Sequence, residues 1–194
     1  MATGVPTLTD AAATETAAAT SDEILMRRYA NGDAAAFDIL YARHKDSLYR
    51  YLVRGCSDRA VAGELFQDVW MRVIRARRRY KPKARFNVWL YTIAHNRLVD
   101  HYRRHRSSGT VPDLAAPTAD EPPSQTERTQ RAERLRAALN QLPFEQREAI
   151  LLKEEQDLSL KEIAAVTGAR AETVKSRLRY ALAKLRKELP DDPT

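Results

Sequence analysis

Apolar residues recur every three or four positions along two long stretches of the chain, residues 22–106 and 129–190. In an α-helix this spacing places the apolar side chains on one face, where they can form a core. Ala, Leu, Arg and Glu are abundant and only 6 glycines occur, a composition that favours helix over strand. We therefore predict an all-α protein with two small helical domains.

The segment between the two stretches, residues 107–128, contains four prolines and four acidic residues, with a single base at its last position. It has almost nothing to bury, so we predict a flexible acidic linker. Residues 1–21 are rich in Ala and Thr and lack the parts of a secretory signal, which predicts a disordered tail. No apolar run is long enough to insert into a membrane. The single cysteine excludes an internal disulfide and is consistent with the reducing cytoplasm.

Within residues 22–106, Asn31 and Gly32 predict a break between two helices, and Asp33 is the predicted N-cap of the second helix. The density of charge and Pro82 predict a loop over residues 77–85. Three stripes with helical spacing mark the faces that we expect to be buried: Leu40, His44, Leu48 and Leu52; Val61, Leu65, Val69 and Val73; and Leu90, Ala94 and Leu98.

In the second stretch, residues 130–142 and 144–155 are predicted helices, and Pro143 suits the start of the second one. Ala164, Gly168 and Val174 then have the spacing of a helix-turn-helix, in which a small residue allows close approach and glycine accepts a left-handed turn. Val174 and Leu178 would anchor its second helix and leave the start of that helix free for the DNA major groove. An ordinary helical hairpin is the alternative. The exposed DNA-binding candidates are Arg170, Glu172, Thr173, Lys175, Ser176 and Arg179.

The net charge is +7, and the positive charge is concentrated. Between Arg72 and Arg106 there are twelve Lys or Arg residues and one acid, Asp100. Such a strip binds nucleic acid in a salt-dependent way, and interleaved aromatic side chains can stack on unpaired bases. We expect Phe86 and Tyr91 to belong to the core, and the sequence leaves Trp89 open between the core and DNA.

Three stretches together resemble the sigma-70 family, and in particular its extracytoplasmic-function branch. They are AGELFQDVWMRVIRA, FNVWLYTIAHNRLVDHYRRHR, and the helix-turn-helix region from LNQLPFEQREAI to YALAKLRK. The resemblance covers nearly all of residues 22–188 and includes the order and spacing of the three stretches. It implies a transcription initiation factor whose partners are core RNA polymerase and promoter DNA, and it leaves open whether an anti-sigma factor binds the chain.

The resemblance also implies roles for individual residues. The polymerase-binding face would comprise Glu64, Gln67, Asp68 and Met71. The minus-ten element would be opened and bound by Arg78, Arg79, Lys81, Lys83, Arg85, Trp89, Asn96, Arg103 and Arg104, and the minus-thirty-five element by the helix-turn-helix candidates. Glu64, Gln67, Asp68 and Met71 share one helical face, and without the resemblance they would be read as a solvated surface.

Other classes of protein are less consistent with the sequence. It contains no Gly-rich phosphate loop and no hydrolase motif, so we expect neither an enzyme nor a cofactor. His101 and His105 have a spacing that metals can use, but the arginines around them would repel a cation, so no metal is expected. A helix-turn-helix regulator without polymerase docking is the alternative function, and an RNA-binding or structural basic protein is a further one.

Overall fold

The fold was obtained as a computed structural model, which describes residues 20–56, 58–107 and 127–189, without the side chains of residues 105–107 and 127–132. Every regular element in these ranges is helical, which confirms the predicted all-α class. The predicted tail and most of the predicted linker lie outside the described residues.

In the residues that the structure describes, the N-terminal half contains four helices, α1 (Asp22–Ala30), α2 (Ala34–Cys56), α3 (Arg59–Ala76) and α4 (Phe86–Ser107), with a 3-10 turn (Arg77–Arg79) between the last two. Gly32 has a φ of 105°, a conformation that glycine adopts without strain. Asp33 Oδ1 accepts a hydrogen bond from Ala36 N at 3.2 Å, which confirms the predicted N-cap. The predicted loop over residues 77–85 is also confirmed, except that its first three residues form the 3-10 turn.

The predicted apolar stripes form the core of this half. Leu40, Leu48, Leu52, Val69, Val73, Leu90, Ala94 and Leu98 are all fully buried, whereas Val61 and Leu65 are half-buried. His44 differs from the rest of its stripe because an imidazole requires a polar partner, and its Nε2 lies 2.6 Å from Asp22 Oδ2. Helices α2 and α4 approach closely at Gly55, where a Cβ atom would lie 2.7 Å from Leu98 Cδ1.

The C-terminal half contains α5 (Glu127–Asn140), α6 (Phe144–Ile150), α7 (Leu160–Thr167) and α8 (Ala171–Glu188). The predicted helix over residues 130–142 therefore begins and ends slightly earlier than expected. A π-helical turn (Leu151–Glu155) extends α6 to the predicted end. Leu151 and Leu152 are both buried, which the wider turn accommodates. A π-helical turn departs from the 3.6-residue period, so the periodicity of the sequence does not predict it.

The two halves pack against each other. Leu151, Leu152, Leu158, Ile163, Val166 and Val174 belong to the same apolar cluster as the core of α2, α3 and α4. A smaller cluster formed by Leu139, Leu142, Ile150 and Ala181 joins α5, α6 and α8. From the sequence we predicted two domains connected by a linker, and no feature of the sequence indicated that the two halves pack together. The contact uses apolar side chains that each half could equally have buried in its own core.

Candidate nucleic-acid and docking surfaces

One face of α3 presents the predicted docking residues Glu64, Gln67, Asp68 and Met71, and all four are exposed. These residues line one wall of a groove of about 380 Å³ between α3 and α4. The opposite wall contains Arg97, Asp100, His101 and Arg104. The structure therefore brings the predicted docking set together on one accessible face, where its acids can pair with basic groups of a partner.

Arg97 connects the two walls of this groove. Its Nη1 lies 3.8 Å from Asp68 Oδ2, and its Nη2 pairs with Asp100. The Asp68 side chain is nevertheless 61% exposed, so most of its carboxylate remains available to a partner. Arg97 is not among the residues predicted from the sequence, because its position depends on how α4 packs on α3.

The basic loop, which we define as residues 77–85, lies on the surface. Its five predicted DNA-binding residues are all exposed: Arg78, Arg79, Lys81, Lys83 and Arg85. The sequence has no acid between Arg72 and Asp100, so the segment contains no negative charge of its own. A cluster of this kind attracts phosphates and releases their condensed counterions.

The aromatic residues that follow the loop are packed to different degrees. Phe86 and Tyr91 are 1% and 0% exposed, which confirms that they belong to the core. Trp89 is half-buried, and its ring lies 4.9 Å from the Tyr80 ring and 5.8 Å from the Phe86 ring. Its indole is therefore one edge of an aromatic cluster and leaves only part of a face for a base.

Farther along α4, the remaining predicted minus-ten residues Asn96, Arg103 and Arg104 are exposed. Arg103 Nη2 pairs with Asp100 Oδ1 at 3.1 Å. Because such exposed pairs contribute little free energy, this contact can be exchanged for a phosphate.

The predicted helix-turn-helix has the expected backbone. Ser159 and Glu162 form a capping box at the start of α7, and Gly168 ends that helix in the left-handed conformation with φ 66°. Helix α8 begins after Arg170, which provides no side-chain cap. Its first backbone N–H groups therefore have no capping side chain, and the start of a helix in this state favours an anion such as phosphate.

Helix α8 exposes the predicted minus-thirty-five residues on the side that faces away from the core. Val174 is fully buried and Leu178 is partly buried, as the predicted anchors should be. The exposed candidates are Arg170, Glu172, Thr173, Lys175 and Arg179, whereas Ser176 is half-buried. The structure thus collects the whole predicted set around the first turns of one helix.

One predicted DNA-binding residue is occupied by a contact between the two halves. Arg85 Nε lies 2.7 Å from Glu162 Oε1, and Arg85 Nη2 donates to the Asp157 carbonyl at 3.2 Å. Burial alone would raise the pKa of Glu162, but hydrogen bonds from Arg85 and Ser159 outweigh it and lower the pKa to about 2. The Arg85 side chain is still 50% exposed, so a phosphate and the Glu162 carboxylate would compete for the same guanidinium.

A buried acid also lies between the two halves, in the contact region that we call the junction. Glu148 of α6 is 2% exposed, and its Oε1 accepts from Tyr51 OH at 2.6 Å and lies 2.7 Å from His95 Nδ1. Burial, followed by the nearby Glu148 charge, raises the pKa of Tyr51 well above its ordinary value, so Tyr51 remains the donor. The neighbouring Arg147 is equally buried and donates to the Gly55 carbonyl at 3.2 Å.

The described residues were compared with the requirements of a metal site and of a membrane span. Across residues 20–56, 58–107 and 127–189, no group of three or more His, Cys, Asp or Glu side chains could hold a metal ion. Within the same ranges, no helix is both long and apolar enough to span a bilayer.

Two family models match the chain. The model described as Sigma-70 region 2 matches residues 40–108, and the model described as Sigma-70, region 4 matches residues 132–185. The chain therefore belongs to the sigma-70 family, whose members are non-enzymatic transcription initiation factors that direct RNA polymerase to promoter DNA.

Similar curated proteins show to which branch of the sigma-70 family the chain belongs. The chain is 34% identical to RNA polymerase sigma factor CarQ of Myxococcus xanthus over 84% of this chain and 95% of that protein. It is 31% identical to ECF RNA polymerase sigma factor SigM of Mycobacterium tuberculosis over 85% of this chain and 83% of that protein. These similarities identify the branch as the extracytoplasmic-function, or ECF, group.

Solved structures agree with this assignment. CnrH, solved in complex with the cytosolic domain of CnrY, has a TM-score of 0.66 and 28% identity, covering 90% of this chain and 100% of its own. The sigma factor RpoE of Bartonella quintana, solved with the anti-sigma factor NepR, has a TM-score of 0.68 and 25% identity, covering 81% of this chain and 98% of its own.

Proposed function

We propose that the two halves of this initiation factor perform different steps. Residues 22–106 bind core polymerase and open the promoter at the minus-ten element, and residues 129–190 bind the minus-thirty-five element, with residues 107–128 as the connection and residues 1–21 outside both domains. One observation carries this proposal: the predicted docking residues and the predicted DNA-binding residues occupy separate exposed sites. The exposed acids Glu64 and Asp68 share one face of α3, whereas the exposed bases that we assign to DNA lie on the basic loop, α4 and α8.

In this proposal, Glu64, Gln67, Asp68 and Met71 contact the polymerase. Two acids and a polar amide can pair with basic groups, and the half-exposed Met71 adds apolar area. The accessible groove beside these residues and the high exposure of Asp68 support this role.

The minus-ten strand is bound by the basic loop and by α4. Phosphate contacts come from Arg78, Arg79, Lys81, Lys83, Arg85, Arg103 and Arg104, and the opened bases meet Trp89 and Asn96. The absence of any acid in the sequence between Arg72 and Asp100 supports this assignment. Binding energy from unpaired bases then offsets the free energy of strand separation.

The minus-thirty-five duplex is bound by the start of α8 through Arg170, Glu172, Thr173, Lys175, Ser176 and Arg179. The charged and hydroxyl groups in this set are suited to phosphates and base edges. The exposure of five of the six residues at the uncapped start of a helix supports the assignment.

Run-off transcription with purified core polymerase tests the proposal. Asp68→Arg should reduce initiation to background because it places a cation against the basic partner surface, while binding of the variant to minus-thirty-five duplex should be unchanged. Asp38→Arg, at another exposed acid of the same half, is the matched control and should initiate normally. Normal initiation by Asp68→Arg would contradict the docking assignment.

The same experiment distinguishes the alternative function. A helix-turn-helix regulator that does not dock on polymerase would bind its duplex tightly as a free protein and would start no RNA chain with core enzyme. The proposed function predicts weak binding by the free protein and specific binding once core polymerase is present.

We also propose cytoplasmic localisation and an anti-sigma partner. Polymerase and promoter DNA are cytoplasmic in bacteria, and cell fractionation would check the location. The anti-sigma proposal is supported by the similarity to RpoE, which was solved with such a factor. A candidate antagonist should suppress run-off transcription by this protein and leave initiation by a different sigma factor unchanged.

A further inference from the structure

Helix α4 is capped at its start by a residue that lies far away in the sequence. Phe86 N, the first N–H of the helix, donates to Glu23 Oε1 at 2.6 Å. The preceding residue, Arg85, is the local N-cap, and its carbonyl accepts from Trp89 N at 3.3 Å. Because a guanidinium has no acceptor, Arg85 cannot satisfy the free N–H groups. The carboxylate of Glu23 provides the missing acceptor from α1.

Helix α1, which contains Glu23, also contacts the other end of the basic loop. The Arg77 guanidinium lies over the Tyr29 ring, 5.5 Å from its centroid. Arg77 opens the basic loop and Phe86 follows its last residue, so Tyr29 and Glu23 contact the two ends of the loop. A helix of 9 residues therefore spans the loop from beginning to end.

Helix α1 is itself fixed to the core. Leu25 and Met26 are fully buried, and the Asp22 carboxylate lies 2.6 Å from both Arg43 Nη1 and His44 Nε2 on α2. Burial would raise the pKa of Asp22, but these two partners lower it, so the carboxylate stays charged. A helix held in this way can restrain the loop.

The charge of Glu23 is significant for its position. Helix starts favour negative charge and disfavour positive charge, yet Lys83 and Arg85 precede this one. Burial, followed by the charges of Glu23 and Asp22, raises the pKa of Tyr80 to about 12, so the Tyr80 hydroxyl beside these acids stays neutral. Glu23 thus provides negative charge where the segment from residue 72 to 99 has none.

We propose that Glu23 is a positioning residue for promoter opening, which holds the basic loop and the start of α4 in the geometry that binds the opened minus-ten strand. This inference rests on the proposed function of the loop. The family model for region 2 begins at residue 40, so the matched region includes neither Glu23 nor the rest of α1. Glu23 acts through the backbone of Phe86 and does not touch DNA.

A carboxylate near a phosphate path has a second interpretation, in which it only repels DNA. The two interpretations predict opposite changes in the affinity for the minus-ten strand when Glu23 is replaced. If Glu23 only repels DNA, Glu23→Ala should bind the minus-ten strand more tightly than the wild-type protein. If Glu23 positions the loop, Glu23→Ala should bind more weakly even though an opposing charge has been removed.

The test uses the full chain with core polymerase and two promoter templates, one fully duplex and one already unpaired at the minus-ten element. We expect Glu23→Ala to form about tenfold fewer open complexes on both templates, the loss typical of a missing charged hydrogen bond. Glu23→Gln keeps an acceptor oxygen and should recover part of the loss. Asp38→Asn, at an exposed acid of α2, should behave as the wild-type protein.

Three further measurements separate the outcomes. Polymerase binding and minus-thirty-five duplex binding should be unchanged in both Glu23 variants, whereas a merely structural role would reduce both along with the melting temperature. Wild-type affinity of Glu23→Ala for the unpaired template, or tighter binding, would overturn the proposal. If the wild-type protein itself starts no RNA chain, then the proposed function has failed, and that result does not depend on Glu23.

Discussion

The two predicted DNA-binding surfaces are built from similar residues but differ in accessibility. The start of α8 is open, and Lys175 there is 68% exposed with only a 4.0 Å contact to Glu172. In the N-terminal half, Arg85 is paired with Glu162 of the opposite half, and Trp89 is packed among other rings. The predicted minus-thirty-five surface is therefore open to solvent, whereas the predicted minus-ten surface is partly covered.

The geometry of a promoter gives this difference a meaning. Elements named minus ten and minus thirty-five are about 25 base pairs apart, or roughly 85 Å of duplex at 3.4 Å per base pair. Helices α4 and α7 pack side by side here, and α4, with 22 residues, is only about 33 Å long. Under the proposed function, the two halves must separate before both elements can be bound.

The largest effect is expected from breaking the junction itself. Glu148→Lys places a buried cation beside His95 and Arg147 with no acid to pair with, and disrupting a buried charged contact typically costs about 3–5 kcal/mol. We expect the halves to come apart, which small-angle scattering would detect as a larger radius of gyration. Binding of α8 to its duplex should persist, because that surface is already open.

Glu145→Lys is the matched control for this experiment, because Glu145 is an exposed acid on the same helix. It should retain the wild-type radius. An unchanged radius for Glu148→Lys would show that the junction does not depend on the buried acid.

A pair of glycines compares the backbones of the two halves. Gly168→Ala should destabilise the protein by about 1–2 kcal/mol, because φ 66° is strained for any residue with a Cβ. Gly63 lies within α3, where a Cβ would meet nothing within 4 Å, so Gly63→Ala should stabilise by about 0.5–1 kcal/mol. Chemical denaturation would measure the free energy of unfolding of both variants. Changes in the same direction would contradict the distinction between a left-handed glycine and a helical one.

The open surface can be tested directly through its charge. Lys175→Ala should weaken binding to minus-thirty-five duplex about fivefold and reduce the salt dependence by roughly one counterion. Polymerase binding should not change. Lys187→Ala, at the far end of α8, is the control, and an equal loss there would mean that only net charge matters.

The smallest effect is expected at the covered surface, through the ion pair between Arg85 and Glu162. Because the folded-state pKa of Glu162 is lowered to about 2, the pair contributes stability above its ordinary pKa near 4.5 and loses it as the pH falls toward 2. The Arg85 side chain is 50% exposed, so the contribution should be at most about 1 kcal/mol. An NMR titration of the Glu162 carboxyl would measure the pKa, and an ordinary value would contradict the contact.

The parts of the fold that could be predicted are local. The stripe from Leu40 to Leu52, the Asp33 cap and the left-handed Gly168 each depend on a few neighbouring residues, and the structure confirms them. The exposure of the α8 candidates follows in the same way, because two buried anchors, Val174 and Leu178, determine which side of the helix faces outward.

The parts that could not be predicted depend on contacts between distant residues. Glu23 caps a helix 63 positions later, and Glu148 is buried only because α2 and α4 provide Tyr51 and His95 as partners. In the sequence, Arg147 and Glu148 resemble solvated surface residues. The spacing of apolar residues along the chain does not indicate which charged side chains become buried between helices.

A single carbonyl oxygen links the state of the whole molecule to one helix end. The Gly55 carbonyl accepts from Tyr102 OH at 2.5 Å within the N-terminal half and from Arg147 at 3.2 Å in the opposite half. Carbonyls in the last turn of a helix have no partner within the helix, and a helix end without other partners frays readily. Under the proposed function, Arg147 leaves this carbonyl when the halves separate and only the Tyr102 bond remains. Deuterium uptake by the last amides of α2 should therefore be slower while the halves are packed than after they separate, so hydrogen exchange at this helix end reports on the separation.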